Sequence, residues 1–382
     1  MLFDLRPKTK REELYGREEE LDELLASLRS ETPLVILLGI KRIGKTSLLK
    51  TALNELDVPS MYLDVRRLEE EGYSKVVLYR ILSEEMNRLS SRGEKLTEAL
   101  RHVKGVQVAG SRIELDWSER GPLLSSVFES LNQMMEKRKS QLVIAVDEAQ
   151  LLKNMVGGKG KIDFRSLVAF AYDKLENIKF VLIGSEIGLL MDFIGIDNPK
   201  SSLYGRGREE IMLNRFEKTK SLEFLRKGFE QKGIGVNQEE IERVVNALDG
   251  IVGWLTLYGN AASQNRKKKS SRVAKKVGGD YYSSSHTPTD EVLEAAKGAV
   301  KSELTPLFSR SRYYKLALVS LARGAAQWSK VKRDISSWVG RPITDTQVTR
   351  TLDTLRKLSI VEYERGNYSI TDPVVASFAR GL

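Results

Sequence analysis

The sequence predicts an α/β fold, in which helices cover both faces of a mostly parallel sheet, followed by an all-α segment and a small winged-helix domain. Three observations support this prediction. Short apolar runs alternate with helical patterns up to residue 214 of the 382. After Phe216 the strand signals stop and helical patterns continue alone. The last seventy or so residues give three helices and two short strands, the outline of a winged helix.

The elements of the first part follow one another in a regular order. Leucines at helical spacing predict a helix over residues 17–30, and the apolar run 34–38 predicts a buried strand. A second helix begins at Thr46. The alternating stretch 101–119 is typical of a hairpin. Further strands are predicted at residues 60–65, 141–146, 179–183 and 210–213.

The second part is predicted to be helical and then to contain a linker. Helices are expected over residues 218–231 and 238–265, and the basic, Gly- and Ser-containing tract 265–286 is typical of a mobile loop. The C-terminal pattern predicts helices at 313–322, 328–339 and 344–358 and strands at 360–364 and 368–370. The expected domains are an α/β core (1–214), a helical lid (215–265), a linker with the basic loop (266–305) and a winged helix (306–382).

Composition limits the kinds of chemistry that the chain supports. There is no cysteine, and His102 and His286 are the only histidines, so thiol chemistry and Cys- or His-rich metal sites are excluded. The longest apolar stretch, residues 34–40, is far below the roughly 20 residues of a membrane helix, and we expect a cytoplasmic protein without a membrane partner. A net charge of +10 favours polyanionic partners, nucleic acid first. A generally basic proteome is the alternative.

The stretch GIKRIGKTS contains the pattern of a phosphate-binding loop, G-x-x-x-x-G-K-[ST]. Glycines let successive N–H groups point into one concavity, the lysine reaches the β- and γ-phosphates, and the hydroxyl ligates magnesium. A strand precedes the pattern and a helix follows it, an order that argues against a plain basic turn. The predicted nucleotide-binding residues are Gly39, Ile40, Lys41, Arg42, Ile43, Gly44, Lys45, Thr46 and Ser47.

A second motif, LVIAVDEAQ, puts Asp147 and Glu148 directly after an apolar strand. The carboxyl ends of parallel strands form the edge of the sheet at which ligands bind. Asp147 is therefore expected to hold Mg²⁺ together with Thr46, and Glu148 to orient or deprotonate the attacking water. A carboxylate pair after a strand could also cap the next helix, but a phosphate loop upstream favours the catalytic interpretation.

Two further segments contain polar residues that stand next to a predicted strand. Ser185, in KFVLIGSEIGLL, is a candidate for holding the water or sensing the γ-phosphate; a helix cap is the alternative. Arg206 and Arg208, in SSLYGRGREEIML, stand just before the last strand of the sheet. An arginine there could act as a finger on a phosphoryl group in its own chain or in a neighbour's site, or could be an ordinary surface residue.

At this point the sequence resembles the archaeal ATPase family, P-loop ATPases related to the AAA+ and STAND groups. The resemblance runs through YGREEELDEL, GIKRIGKTSLL, VIAVDEAQ, LIGSEIGLL, LYGRGREEI, GIVGWLTLYG and ITDPVVASF, in the family's order. It implies a Walker A pair Lys45–Thr46, a Walker B pair Asp147–Glu148, a sensor-like Ser185 and a finger at Arg206. It also implies that Tyr15 and Arg17 lie beside the adenine. Val252 stands at a position near the adenine where family members often have a proline.

Three functional hypotheses share this one site. The chain could be a Mg²⁺-dependent ATPase, a slow nucleotide switch acting through a protein partner or homo-oligomer, or an origin-recognition-like ATPase on double-stranded DNA. ATP and ADP are expected rather than guanine nucleotides, because no N/TKxD motif follows the core strands. DNA contact by the winged helix and the basic tract stays open against a protein-binding role. The candidate DNA contacts are Gln347, Thr349, Arg350, Thr354, Arg356, Lys357, Arg365 and Asn367.

Overall fold

A five-stranded parallel sheet forms the centre of the N-terminal part. The computed structural model describes residues 1–91, 93, 96–116, 123–156, 162–273 and 288–382. The strand order in the sheet is β2-β5-β6-β1-β7, and every neighbouring pair is parallel. All five strands lie at the predicted places, within a residue or two. They are β1 (Leu34–Leu38), β2 (Ser60–Asp64), β5 (Leu142–Asp147), β6 (Ile178–Gly184) and β7 (Glu209–Met212).

The register brings the carboxyl ends of the strands together. Leu38 is opposite both Gly184 and Met212, and Asp147 is opposite both Asp64 and Ile183. The residues that follow β1, β5 and β6 must therefore meet at one edge of the sheet. This edge is where the phosphate loop, the Asp147–Glu148 pair and Ser185 all emerge.

Helices cover both faces of the sheet because its central strands are apolar on both sides. Leu34, Ile36 and Leu38 pack in one buried cluster, whereas Val35 and Leu37 pack in another, with alternate residues of β5 and β6 dividing in the same way. The surrounding helices are α1 (Glu18–Arg29), α2 (Lys45–Glu55), α3 (Arg67–Glu71), α4 (Lys75–Ser90), α5 (Leu96–Leu100), α6 (Leu124–Lys137), α7 (Phe164–Lys174) and α8 (Ile187–Ile194).

The predicted hairpin is confirmed as a separate two-stranded antiparallel sheet. Its strands are β3 (Val106–Ala109) and β4 (Arg112–Leu115). The side chain of Asn87 on α4 accepts a hydrogen bond from the Ile113 backbone N–H at 2.7 Å and donates to the Ile113 carbonyl at 2.8 Å. These two bonds attach the hairpin to the outside of the sheet layer.

Among the described residues, four helices lie between the sheet and residue 311, and two predictions for this region are wrong. The structure has α9 (Lys218–Glu230), α10 (Gln238–Leu248), α11 (Val252–Val273) and α12 (Pro288–Arg310). The expected continuous helix 238–265 breaks because Asp249 and Gly250 are left-handed, and a Cβ on Gly250 would lie 2.0 Å from the Phe216 carbonyl oxygen. The expected linker 266–305 is helical where it is described, because Lys, Arg and Ala favour a helix. Residues 274–287 of the basic tract lie outside the described residues.

The C-terminal module, defined here as Arg312–Arg380, has the predicted order of three helices and a hairpin. It contains α13 (Arg312–Leu321), α14 (Trp328–Val339), α15 (Asp345–Lys357), β8 (Val361–Glu364), β9 (Asn367–Ile370) and a further helix, α16 (Pro373–Arg380). One continuous apolar cluster joins this module to α9–α12 and to Leu2 and Phe3. Across the described ranges, no helix combines the length and apolar character needed to cross a membrane.

Candidate functional site

The loop between β1 and α2 has the backbone shape of a phosphate cradle. Gly39 and Gly44 have φ values of 149° and 102°, and Arg42 between them is also left-handed at 64°. A Cβ on Gly39 would lie 2.9 Å from the Leu213 carbonyl oxygen, so only glycine fits there. The loop leads directly into α2, whose N-terminal N–H groups and dipole favour an anion.

Lys45 is buried inside this loop and is held by it. Its Nζ donates to the carbonyl oxygens of Gly39 at 2.7 Å and Ile40 at 2.9 Å. Burial lowers the pKa of Lys45 to about 8, although the charges of Glu148 and Asp147 oppose this shift. The ammonium is thus pre-positioned where phosphate oxygens would replace backbone carbonyls as its partners.

Thr46 and Asp147 bring two oxygen ligands together beside the loop. The Thr46 hydroxyl donates to Asp147 Oδ2 at 3.1 Å, and the Tyr62 hydroxyl donates to the same oxygen at 2.6 Å. Burial raises the pKa of Asp147, while the hydrogen bond from Tyr62 works against that rise. Hydroxyl and carboxylate oxygens are ligands that Mg²⁺ prefers, so these residues fit the expected ion. Among the described residues, no three His, Cys, Asp or Glu side chains cluster as a metal cage.

Glu148 lies next to Asp147 with a left-handed backbone, φ 57°, and its carboxylate is heavily hydrogen-bonded. The Ser185 backbone N–H donates to Oε2 at 3.0 Å, its hydroxyl donates to Oε1 at 2.8 Å, and Gln150 Nε2 donates to Oε2 at 2.7 Å. Burial raises the pKa of Glu148, but the hydrogen bonds from Gln150 and Ser185 and the charge of Lys45 outweigh it, and the net pKa is lowered. Glu148 is therefore an ionised acceptor at neutral pH.

Gln150 and Glu186 belong to the same cluster and were not singled out from the sequence. Gln150 also lies 3.5 Å from Glu186, whose carboxylate is 3.9 Å from the Lys41 ammonium. Gly184 leaves the room for Gln150, because a Cβ there would be 2.6 Å from its Oε1. Burial raises the pKa of Glu186. The charge of Lys41 opposes this rise, and the charge of Glu148 adds to it. The final Q of LVIAVDEAQ was the one signal for Gln150.

These groups line one end of a cavity of about 530 Å³. Its walls include most of the residues predicted for nucleotide binding, namely Tyr15, Arg17, residues 41–47, Asp147, Glu148 and Ser185. Gly39 and Ile40 lie behind the loop, against a neighbouring cavity, and take part through their carbonyls. The sequence did not indicate that the segment from Leu2 to Lys8 would close the other side. The Lys8 backbone N–H donates to the Ser47 hydroxyl at 3.1 Å.

Tyr15 and Arg17 both reach the cavity, but their contacts differ. Tyr15 packs against the rings of Phe216 and Phe224, as an apolar wall for a base would. Arg17 Nη2 donates to the carbonyls of Ile43 at 3.2 Å and Asn214 at 2.5 Å. Its buried guanidinium therefore holds the phosphate loop to the residue that follows Leu213, and a place for Arg17 beside an adenine stays a prediction.

Arg206 is not among the residues that line this cavity. Its guanidinium forms a fork with Asp173 on α7, at 3.2 Å from Nε and 2.5 Å from Nη2, and also donates to the Ser202 carbonyl. Arg208 pairs with Glu210 instead. Arg206 is thus not positioned to act in its own chain's site in this conformation, and a finger role in a neighbour's site stays a prediction.

A chain of contacts leads from the phosphate loop to the C-terminal module. The Arg42 guanidinium pairs with Glu303 on α12 and stacks 4.1 Å from the centre of the Trp254 ring. The Trp254 indole N–H donates to Asp372 Oδ2 at 2.9 Å, and Asp372 caps the start of α16. The Gly253 N–H also donates to the Arg42 carbonyl at 2.9 Å. The phosphate loop, α11, α12 and the C-terminal module therefore meet around Arg42 and its partner Trp254.

Comparisons with known proteins bear on the family and the fold of the chain. Residues 14–257 match the family model of an ATPase domain found predominantly in Archaea. A solved Walker-type ATPase of Pyrococcus abyssi is similar over 100% of both chains, at 36% identity and a TM-score of 0.80. The ORC2 protein of Aeropyrum pernix, solved as ADPNP–ADP complexes, has a TM-score of 0.61 at 13% identity over 100% of this chain and 97% of its own, a likeness of fold alone. A search of curated proteins gave no match. The predicted P-loop NTPase fold class is confirmed.

Proposed function

Because the chain belongs to the family of ATPase domains found predominantly in Archaea and is an ATP hydrolase, we propose that it cleaves ATP with Mg²⁺ in the 530 Å³ cavity and couples this reaction to its lid and C-terminal module. The observation that carries the proposal is the convergence of Lys45, Thr46 and the Asp147–Glu148 pair at one end of that cavity. No single one of these residues would be enough to support a site for ATP cleavage.

The roles follow from the geometry of the residues. Lys45 and the N-terminal N–H groups of α2 bind the β- and γ-phosphates, and Thr46 with Asp147 would hold Mg²⁺, which supplies charge neutralisation on the phosphate oxygens when bound. Tyr62 fixes the orientation of the Asp147 carboxylate. Glu148, ionised and next to Ser185, accepts a hydrogen bond or proton from the attacking water. Ser185 donates its backbone N–H and its hydroxyl to that carboxylate and thereby controls how available it is to the water.

The direct test is phosphate release from ATP with Mg²⁺ by the wild type and by Glu148→Gln. Glutamine keeps the shape but cannot accept a proton, so turnover should fall by about 10²–10⁴-fold, the usual contribution of a general base, while ATP binding stays within a few-fold. Equal turnover in the two proteins would remove Glu148 from the mechanism. Omitting Mg²⁺ should abolish turnover in the wild type as well.

The coupling proposal rests on Arg42. This residue of the phosphate loop touches the lid at Trp254 and α12 at Glu303, and Trp254 reaches Asp372 in the C-terminal module. Phosphate that reorders the loop would change these contacts, and the angle between lid and module would follow the nucleotide state.

The C-terminal module suggests two kinds of partner, double-stranded DNA and a protein. Gln347 and Arg350 are exposed on α15, as a duplex-binding helix requires. However, Lys357 is bound to Asp192 of α8 at 2.7 Å, and the Thr349 hydroxyl accepts from Trp328, which favours a switch acting through a protein partner. Turnover measured with and without duplex DNA at two salt concentrations separates them: DNA stimulation that weakens steeply with salt supports the DNA role.

A further inference from the structure

The Glu148 carboxylate has most of its hydrogen-bonding capacity in use. Its oxygens accept from three donors: the Ser185 hydroxyl, at 2.8 Å and 3.0 Å from the two oxygens, the Ser185 backbone N–H at 3.0 Å and Gln150 Nε2 at 2.7 Å. An ionised carboxylate offers about four lone-pair positions, so about one is left for a water, and each of the three hydrogen bonds stabilises the ionised form and makes Glu148 a weaker base. The conformation described is therefore one in which the base is engaged.

Ser185, which supplies two of the three donors, lies two residues before the start of α8 at Ile187. The Ile187 backbone N–H is one of the groups at a helix N-terminus that lack a partner inside the helix. The N-cap residue, Glu186, makes no side-chain cap bond. Ile187 N–H donates instead to the Ser359 hydroxyl at 2.8 Å, from a residue 172 positions away in the C-terminal module.

The C-terminal module is attached to α8 at two further points. A Cβ on Gly188 would lie 2.6 Å from Lys357 Cα, so the two backbones are in close contact there. The Lys357 ammonium also binds Asp192 at 2.7 Å. A movement of the module therefore pulls on α8, and the N-terminal end of α8 carries Ser185 with it.

Ser359 itself has an unusual backbone. Its φ is 56°, in the left-handed region that serine seldom adopts. Its N–H donates to the Arg356 carbonyl at 2.9 Å, and its carbonyl accepts from the Thr371 hydroxyl at 2.6 Å. The turn between α15 and β8 thus holds the hydroxyl towards α8.

We propose that Ser359 is a positioning residue for the hydrolytic reaction: by capping α8 it holds Ser185 on Glu148 and keeps the base engaged until the C-terminal module moves. The inference rests on the proposed ATP hydrolysis and assigns its regulation to a contact outside the nucleotide cavity. A partner that draws the module away from α8 would release Glu148 to accept a water.

The test compares the wild type with four variants in steady-state ATP hydrolysis and in equilibrium ATP binding. Ser359→Gly removes the hydroxyl and suits the left-handed backbone, while Ser359→Asn keeps an acceptor on a residue that tolerates this backbone. Ser369→Ala is the matched control, because it removes a hydroxyl bond to Glu362 within the module's own hairpin. Ile187→Pro removes the same hydrogen bond from the α8 side, at a helix position where proline is tolerated.

Ser359→Gly should raise kcat by about threefold to tenfold, the factor that one hydrogen bond of ordinary strength represents. ATP affinity should stay within twofold, since the cavity is not touched. Ser359→Asn and Ser369→Ala should match the wild type, and Ile187→Pro should show the same rise as Ser359→Gly. An unchanged or lower kcat in Ser359→Gly and in Ile187→Pro would overturn the inference while leaving the ATPase intact. No turnover in any of the proteins would instead overturn the proposed hydrolysis.

Discussion

Two buried lysines on either side of β1 illustrate what separates a functional site from a structural one. Lys45 is 7% exposed and Lys179, on β6, is 3% exposed. Burial lowers the pKa of each to about 8. Each ammonium donates to two backbone carbonyls, Lys45 to the phosphate loop and Lys179 to Ser27 and Ser30, both at 2.7 Å.

The difference lies in what surrounds the two ammonium groups. Lys45 lines a cavity that also contains Asp147 and Glu148. Lys179 binds the carbonyls at the C-terminal end of α1, where a helix lacks internal donors and favours a cation. A perturbed pKa and deep burial are therefore not sufficient evidence of a ligand site. The neighbouring cavity and the converging carboxylates are what identify Lys45.

The largest expected contrast is in ATP binding. Lys45→Met should weaken ATP binding by about 100-fold or more, because it removes charged hydrogen bonds to phosphate oxygens. Lys179→Met should leave the ATP dissociation constant within twofold of the wild type. Isothermal titration of both variants with ATP and Mg²⁺ measures this contrast, and similar losses in the two would mean that Lys179 belongs to the site after all.

Folding stability should show the opposite contrast. Lys179→Met leaves the Ser30 carbonyl oxygen without this donor and the Ser27 carbonyl oxygen with only the Ser30 hydroxyl, and should lower the free energy of unfolding by about 2 kcal/mol. Lys45→Met should change it by less than about 1 kcal/mol, because water in the open cavity can reach the freed carbonyls. Urea unfolding without nucleotide gives both values. A larger loss for Lys45→Met would contradict this assignment.

The pH dependence of ATP binding gives the smallest effect. In the protein without nucleotide, the pKa of Lys45 is about 8, and the negative charge of a bound phosphate would raise it. Below pH 8 the ammonium is already protonated; above pH 8 binding must take up a proton, so the dissociation constant should rise towards tenfold per pH unit. Lys45→Arg stays protonated and should remove this slope. A wild-type affinity that is flat from pH 7 to 9.5 would show that the ammonium is not the phosphate ligand.

The sequence predicted which candidate site residues meet at the carboxyl edge of the sheet because its signals are local. A strand, a glycine loop and a helix occupy consecutive residues, and parallel strands bring their carboxyl ends to one edge wherever the chain runs between them. Lys45, Thr46, Asp147, Glu148 and Ser185 were located in this way. Side-chain direction was less accessible, since the sequence could not show that Arg206 turns towards Asp173.

Contacts between distant parts of the chain could not be predicted. Tyr62 meets Asp147 across 85 residues, and Arg42 meets Glu303 across 261. Lys179 stands at the start of an apolar strand, and nothing nearby indicates that it caps a helix 149 residues earlier. The linker prediction used composition, but the helices on either side of residues 274–287 depend on packing in the shared apolar cluster and on helix propensity.

The stacking of Arg42 on Trp254 gives the molecule a built-in optical reporter. An indole whose face carries a guanidinium and whose N–H binds a carboxylate changes its emission when either neighbour moves. The chain has four tryptophans, and replacing Trp117, Trp328 and Trp338 by phenylalanine leaves Trp254 as the single tryptophan, where the phosphate loop, α11 and the C-terminal module meet. Stopped-flow fluorescence of that single-tryptophan protein would follow nucleotide loading and release in real time without an added dye.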